Sequence, residues 1–361
     1  MKKLTQFLMA VVFALVATTL TVPDSSAQAQ TQTPVKNEFT VAWSTYVTWN
    51  LTPFLRDSGL LKKWGDKYGI VINITPMMAY LESYTQFTNN KVDAVMVTNM
   101  DAMMGPSFGG VDSEFITIQD YSDGNDSALT RTGTTMADLI GRKIFLLMGS
   151  VSQFLVGRCV EMAGMKMSDI TLVNANDENE LQNMFSFTDD PNLTVCTWNP
   201  IVQRLRGMKN SRSLCNSSQI PGEIMDGPLV RKDADERFKM ALTGAYYEGI
   251  AMLAKKGASH NKVVASAAKV SECTVPEYEG QLKTTALFMN PQAAFDFLTA
   301  PGFRILMQTV QRVTYELKMY EPKTQGAVGI ELPDGTILGD KSNVRLHFTT
   351  KYVKMAIDGK L

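Results

Sequence analysis

Val95-Met-Val-Thr-Asn-Met-Asp-Ala102 and its echo, Leu193-Thr-Val-Cys-Thr-Trp-Asn-Pro200, decide the fold. In each, a short β-branched, apolar run ends in small and polar residues and then opens a helix. A strand buried on both faces of a parallel sheet has this pattern, and its carboxyl end delivers polar groups to a ligand crevice. Two such edges, about a hundred residues apart, predict two α/β lobes facing one cleft.

Working outward, strands are expected at 39–43, 70–75, 94–98 and 115–121. A helix is expected at 53–68, and another carries Tyr80, Tyr84 and Phe87. Leu60, Trp64 and Tyr68 share one helical face, which places Trp64 in the core. Strands alternating with helices imply a parallel sheet covered on both faces. Asp120-Tyr-Ser-Asp-Gly-Asn-Asp126 interrupts the order and reads as a crossing into a second series. That series has strands at 127–130, 144–148, 170–173 and 193–198. Gly149-Ser150-Val151-Ser152 opens one of its helices, and 178–187 forms another. Ser217-Ser-Gln-Ile-Pro-Gly-Glu-Ile-Met-Asp-Gly-Pro228 reads as the return crossing, and two crossings make a hinge. Beyond Leu229 the chain is mostly helical, notably at 234–256 and 302–320, and these helices are expected on the first lobe. Residues 342–360 form a helix or a strand–helix element. The expected architecture is α/β: each lobe is a mostly parallel sheet flanked by helices, and a two-segment hinge joins them. Residues 38–124 and 225–361 make lobe 1; residues 125–224 make lobe 2 with the hinge segments.

Lys2-Lys3, an apolar run over 7–20 and Ser26-Ala27-Gln28-Ala29 predict a signal peptide over 1–29, followed by a flexible mature start over 30–37. The run is shorter than the roughly 20 residues that span a bilayer. The mature protein is therefore expected in a periplasm. Lys and Arg number 35 against 36 Asp and Glu, so no basic bias points to nucleic acid or an acidic membrane surface. The only histidines are His260 and His347, which removes most histidine-based acid–base, metal and triad chemistry. No catalytic residue, metal or cofactor is expected. Cys159, Cys196, Cys215 and Cys273 match no zinc or redox spacing. Export permits a disulfide. Cys196 and Cys215, on neighbouring expected strands, could pair; Cys159 reads as a buried free thiol.

The strand-to-helix edges collect the candidate ligand residues. The first lobe offers Ser44, Tyr46, Trp49, Tyr80, Glu82, Asn99 and Asp101. The hinge offers Asn125, Asp126 and Asp226, with Glu223 beside them. The second lobe offers Ser150, Ser152, Trp198 and Asn199. Several have a structural alternative. Asp101 suits a helix start, Glu82 a solvated face, Asp126 and Asp226 a hinge brace, and Trp198 a packed strand end. None of these loops carries Lys or Arg, whose forked guanidinium often clamps sulfonates and carboxylates. Carboxylates with aromatics suit a ligand that donates hydrogen bonds and carries positive charge. Guanidinium fits, because it is planar, rimmed by N–H donors and able to stack on Trp or Tyr. Urea fits too. Ser150 and Ser152 argue the other way, since a helix N-terminus donates N–H groups to an anion.

Further segments carry a family likeness: Trp43-Ser-Thr-Tyr-Val-Thr-Trp49, Val97-Thr-Asn-Met-Asp-Ala102, Gly109-Gly-Val-Asp112, Asp123-Gly-Asn-Asp126, Thr197-Trp-Asn-Pro200 and Ser217-Ser-Gln-Ile-Pro-Gly-Glu-Ile224. Through them the chain resembles the type II periplasmic substrate-binding proteins of ABC importers, in the branch that handles nitrate, sulfonates, taurine and thiamine pyrimidines. Within it the chain looks most similar to the urea-carboxylase-associated binding proteins for urea or guanidine. The resemblance implies a monomer that takes a small molecule into its cleft, closes about its hinge and docks on permease subunits. A sulfonate, nitrate or thiamine-pyrimidine ligand is the alternative within the same class. Thiamine-pyrimidine synthases share this fold, but their His and Cys-rich motif has no counterpart here. Met77-Met78 and Asn183-Met-Phe-Ser-Phe-Thr188 depart from the family pattern.

Overall fold

The computed structural model describes residues 36–319 and 328–361. The expected signal peptide and positions 30–35 of the expected flexible start lie outside the described residues.

The chain begins with β1 (Glu38–Ala42), α1 (Leu51–Asp57), α2 (Leu60–Tyr68), β2 (Val71–Ile74), α3 (Tyr80–Thr88), β3 (Ala94–Thr98) and α4 (Asn99–Ala102). Two short strands, β4 (Ser113–Phe115) and β5 (Asp120–Ser122), follow. The second lobe contains β6 (Asp126–Thr130), β7 (Lys143–Leu146), α5 (Val151–Met162), β8 (Thr171–Asn174), α6 (Glu178–Phe187), β9 (Thr194–Trp198), α7 (Ile201–Arg206) and β10 (Arg212–Asn216). The chain then returns through β11 (Met225–Arg231), α8 (Glu236–Ala254), α9 (Ala258–Val270), α10 (Val275–Leu282), β12 (Thr285–Leu287), α11 (Pro291–Thr299) and α12 (Pro301–Glu316). It ends with β13 (Gly329–Glu331), β14 (Ile337–Leu338), β15 (Val344–Phe348) and α13 (Lys351–Ile357). The C-terminal element is thus a strand followed by a helix.

Two sheets result. The first has ten strands, ordered β14-β13-β15-β4-β11-β3-β1-β2, with β5 bridging β11 and β12; the second runs β10-β6-β9-β7-β8. Every residue of β3 and of β9 is buried, as their unbroken apolar character requires of central strands. Parallel pairing holds for β1 with β2 and β3, and for β7 with β8 and β9. Two antiparallel strands position the candidate site. β11 runs antiparallel to β3, β4 and β5, and β6 runs antiparallel to β9 and β10. Each is the first strand after a crossing, so it enters its sheet from the other lobe. Its first residues therefore lie at the edge where the parallel strands end.

Local chemistry sets the boundaries. The helix expected over 53–68 is two helices, broken at Ser58 and Gly59, where the Gly59 φ of 80° suits glycine. The strand expected over 115–121 is likewise split. Between its halves the Thr117 carbonyl comes within 2.5 Å of where a Cβ on Gly227 would lie, an approach only glycine permits. Ser150 caps α5 by accepting from the Ser152 N–H, and Asp177 caps α6 by accepting from Glu180. Trp64 is half-buried and packs its ring on Gly244 of α8.

The disulfide corrects the sequence reading. Cys159 of α5 is bonded to Cys215 of β10, while Cys196 is a buried free thiol and Cys273 is also free. Cys196 and Cys215 both stand opposite Ala128, on the two sides of β6. Two strand spacings, about 9.5 Å, separate them, which is beyond disulfide reach. Helix α5 packs across β10 and brings Cys159 to Cys215.

Candidate functional site

The antiparallel entries create two facing rows of side chains. In the first lobe, Asp226 of β11 stands opposite Thr98 of β3 and opposite Asp120 of β5. In the second, Asp126 of β6 stands opposite Trp198 of β9. Directly opposed residues project to one face of the sheet, with Cβ atoms about 5 Å apart. The rows meet at a cavity lined by Tyr46, Trp49, Tyr80, Thr98, Ser122, Asp126, Val151, Trp198, Ile224 and Asp226. In this closed form its volume is about 10 Å³, room for about one water molecule.

Aromatic rings wall the cavity. Trp49 stacks on Tyr80 at 5.3 Å between centroids, Tyr46 tilts against Trp49 at 5.0 Å, and the Trp198 edge meets Tyr80 at 5.5 Å across the lobes. The Trp49 indole N–H is buried without an acceptor.

Four carboxyl groups surround these rings: Asp101, Asp120, Asp126 and Asp226, each at most 1% exposed. Asp101 accepts from the Tyr80 hydroxyl and faces the backbone N–H of Val151 at the start of α5. Asp120 accepts from Thr48 at 2.6 Å. Asp126 takes hydrogen bonds from Ser122 and Ser217. The Asp120 and Asp226 carboxyl groups lie within hydrogen-bonding reach of each other. Five carboxyl oxygens remain without a donor group: Oδ1 of Asp101, Oδ1 of Asp120, Oδ2 of Asp126 and both of Asp226. Among the described residues none of the four forms an ion pair. Half-buried Arg206 of α7 acts on Asp126 only through space.

Burial is the largest influence on all four, and it favours their neutral forms. It pushes Asp101 up to about 7 against the Tyr80 and Thr98 hydrogen bonds. It pushes Asp126 up to about 6 against those from Ser122 and Ser217. Asp120 and Asp226 are both raised above the ordinary carboxylate range. Desolvation also raises the Tyr46 phenol, followed by the charges of Asp226, Asp120 and Asp126. Among the described residues, no three His, Cys, Asp or Glu side chains are grouped to hold a metal ion.

Six of the residues singled out in the sequence line the cavity: Tyr46, Trp49, Tyr80, Asp126, Trp198 and Asp226. Asp101 stands directly behind Tyr80. Three asparagines brace the hinge instead, with their amides engaged. Asn99 bonds the Glu223 carbonyl and the Met225 N–H; Asn125 bonds Tyr46 and Thr285; Asn199 bonds Asn125 and the Gln203 N–H. Ser150 is spent on capping. Ser44 and Ser152 are buried beyond the lining, with hydroxyls unpaired. Glu82 is exposed on α3, outside the cavity, so it takes the solvated role. Glu223 is ion-paired with Arg158 of α5 at 2.7 Å. Sequence reasoning missed Asp120, Ser122 and Thr98. The alternation Asp120, Ser122 within β5 was the signal available for the first two.

The lobes are closed over the cavity. Arg204 of α7 donates to the Ser271 carbonyl at 2.6 Å, Arg312 of α12 pairs with Glu161 of α5 at 2.9 Å, and Gly157 lets Leu317 press onto α5. The crossing segments also tie to each other: the Ser217 hydroxyl accepts from the Gly124 and Asp126 N–H groups. Gly124, with φ 113°, makes the tight turn between them.

No protein-family model matches the chain, and no curated protein matches it. Solved structures do. The alkanesulfonate-binding protein SsuA from Xanthomonas axonopodis pv. citri, bound to MOPS, superposes with a TM-score of 0.62 at 14% identity, over 79% of this chain and 94% of that one. The periplasmic aliphatic sulphonate binding protein SsuA from Escherichia coli gives 0.60 at 16% identity, over 79% and 88%. The Candida albicans CA3427 gene product, described as having the generic periplasmic binding protein structural fold, gives 0.59 at 10% identity, over 78% and 90%. The fold is that of the periplasmic binding proteins.

Proposed function

We propose that this chain is a periplasmic solute-binding protein that captures guanidinium, or a close nitrogen-rich relative, between its lobes and hands it to an ABC-type permease. One observation carries the ligand assignment: three carboxyl oxygens of the cavity lining, Oδ2 of Asp126 and both of Asp226, lack donors beside the Trp and Tyr rings. Each unpaired buried group costs about 1–3 kcal/mol, more when charged. A planar cation with N–H donors around its rim repays that cost and stacks its face on Trp or Tyr. A quaternary ammonium ion would stack but donate nothing. The similar solved structures include binding proteins for sulfonates, yet a sulfonate here would meet the Asp126 and Asp226 carboxyl groups. The anion-attracting start of α5 already faces Asp101. Urea is the second reading, favoured by the unpaired Trp49 N–H, which its carbonyl oxygen would accept.

Calorimetric titration of the ligand-free protein with guanidinium, urea, taurine and nitrate tests this. Micromolar guanidinium binding, weakened about 10–100-fold in Asp226→Asn, is the expected result. Tighter binding of taurine or nitrate would overturn the cation assignment.

A further inference from the structure

We propose that the ligand-free protein holds a proton between Asp120 and Asp226 and that the cationic ligand displaces it, so that capture exchanges one cation for one proton. This rests on reading the cavity as a cation site. The strand register carries it. Asp120 and Asp226 are direct cross-strand partners, and like charges so placed repel. Both Asp226 oxygens lack a protein donor group, and the one polar hydrogen that could pair them is a proton shared with Asp120. Asp101 and Asp126 each have hydroxyl donors of their own, so the need for a proton concentrates on the pair.

The groups around the pair supply no alternative. Thr48, ahead of α1, donates to the far Asp120 oxygen. Tyr46, Tyr246 of α8 and Tyr278 of α10 face the cluster, and burial raises all three, so they stay neutral. Asp101 of α4 and Asp126 of β6, themselves raised to about 7 and about 6, add negative charge where they ionise. Among the described residues, the cation acting on the cluster, Arg206 of α7, acts on Asp126.

The exchange balances. A neutral carboxylic acid and a carboxylate become two carboxylates holding one cation, and the proton leaves to solvent. The total charge of the site is the same before and after. Affinity then rises about tenfold per pH unit while the proton is bound and levels off once it is lost. Acidification returns the proton and expels the ligand.

The test is calorimetric titration of guanidinium into the whole protein near pH 8, above the values of about 7 and about 6 to which Asp101 and Asp126 are raised, in buffers of different ionisation enthalpy. Release of about one proton per ligand is expected. Asp120→Asn, whose amide N–H takes the place of the proton, should bind more weakly and release none. Guanidinium binding by the unaltered protein without proton release would overturn the exchange alone. Absence of guanidinium binding would overturn the cation reading and the exchange with it. Should Asp120→Asn fail to fold, infrared difference spectra of the unaltered protein decide. A protonated-carboxyl stretch that vanishes on adding guanidinium supports the exchange, and an unchanged one overturns it.

Discussion

Two acidic side chains of the first sheet lie near opposite ends of β11, one on it and one on its neighbour β4, and meet opposite treatment. Glu114 on β4 stands opposite Val230 near one end of β11 and is 3% exposed; Asp226, near the other end, is 1% exposed. Glu114 is compensated: Lys239, itself 1% exposed, lies 2.7 Å from Oε1, and Lys232 lies 2.9 Å from Oε2. Among the described residues, Asp226 has neither a cation nor a hydroxyl bonded to it, and three more aspartates act on it. Equal burial here meets unequal compensation. A buried ion pair with its hydrogen bonds made is finished business for the fold. A cluster of buried carboxyl groups left without partners costs stability.

The contrast breaks most sharply at Lys239. Lys239→Met leaves Glu114 partly unpaired in the interior and should cost about 3–5 kcal/mol, read by urea unfolding of the ligand-free protein. Adding Glu114→Gln to it should recover part of that loss. An effect as small as that of a surface charge would mean that Glu114 is not buried as described.

At the other end of β11 the sign reverses. Asp226→Asn should stabilise the ligand-free protein by about 1–3 kcal/mol while weakening guanidinium by about 10–100-fold. A variant that loses both stability and affinity would make Asp226 a brace. The cluster's pH dependence follows from the same cause. Asp101 and Asp126 are raised from 3.8 to about 7 and about 6, so the folded chain binds more protons than the unfolded one between those values. The stability this gives is full below the unfolded value and is lost as pH rises through the folded ones. Thermal melts of ligand-free protein should therefore fall between about pH 5 and 8, and guanidinium should reduce that slope.

The smallest effect belongs to a third kind of pair. Arg312 and Glu161 tie the lobes together but are 43% and 45% exposed. Arg312→Ala should change unfolding stability by only about 0.2–1 kcal/mol. A loss of several kcal/mol there would mean that closure rests on this pair more than on the aromatic contact of Trp198 with Tyr80.

The sequence by itself determined the alternation of strands and helices, because hydrophobic period and turn chemistry act over a few residues. β3 and β9 were legible as buried strands, and so were the polar residues closing them. The shortage of histidine and the absence of Lys and Arg from the cleft loops were legible from composition. What only the tertiary structure decided was who faces whom. Asp120 meets Asp226, and Asp126 meets Trp198, because two strands enter their sheets antiparallel after a crossing, and no local pattern encodes the register between distant strands. The same non-local register parts Cys196 from Cys215 by two strand spacings and leaves Cys159 to form the disulfide. It also spends Asn99, Asn125 and Asn199 on the hinge. Their side chains look alike in sequence, but burial obliges each amide to pair with whatever the closed lobes bring within reach.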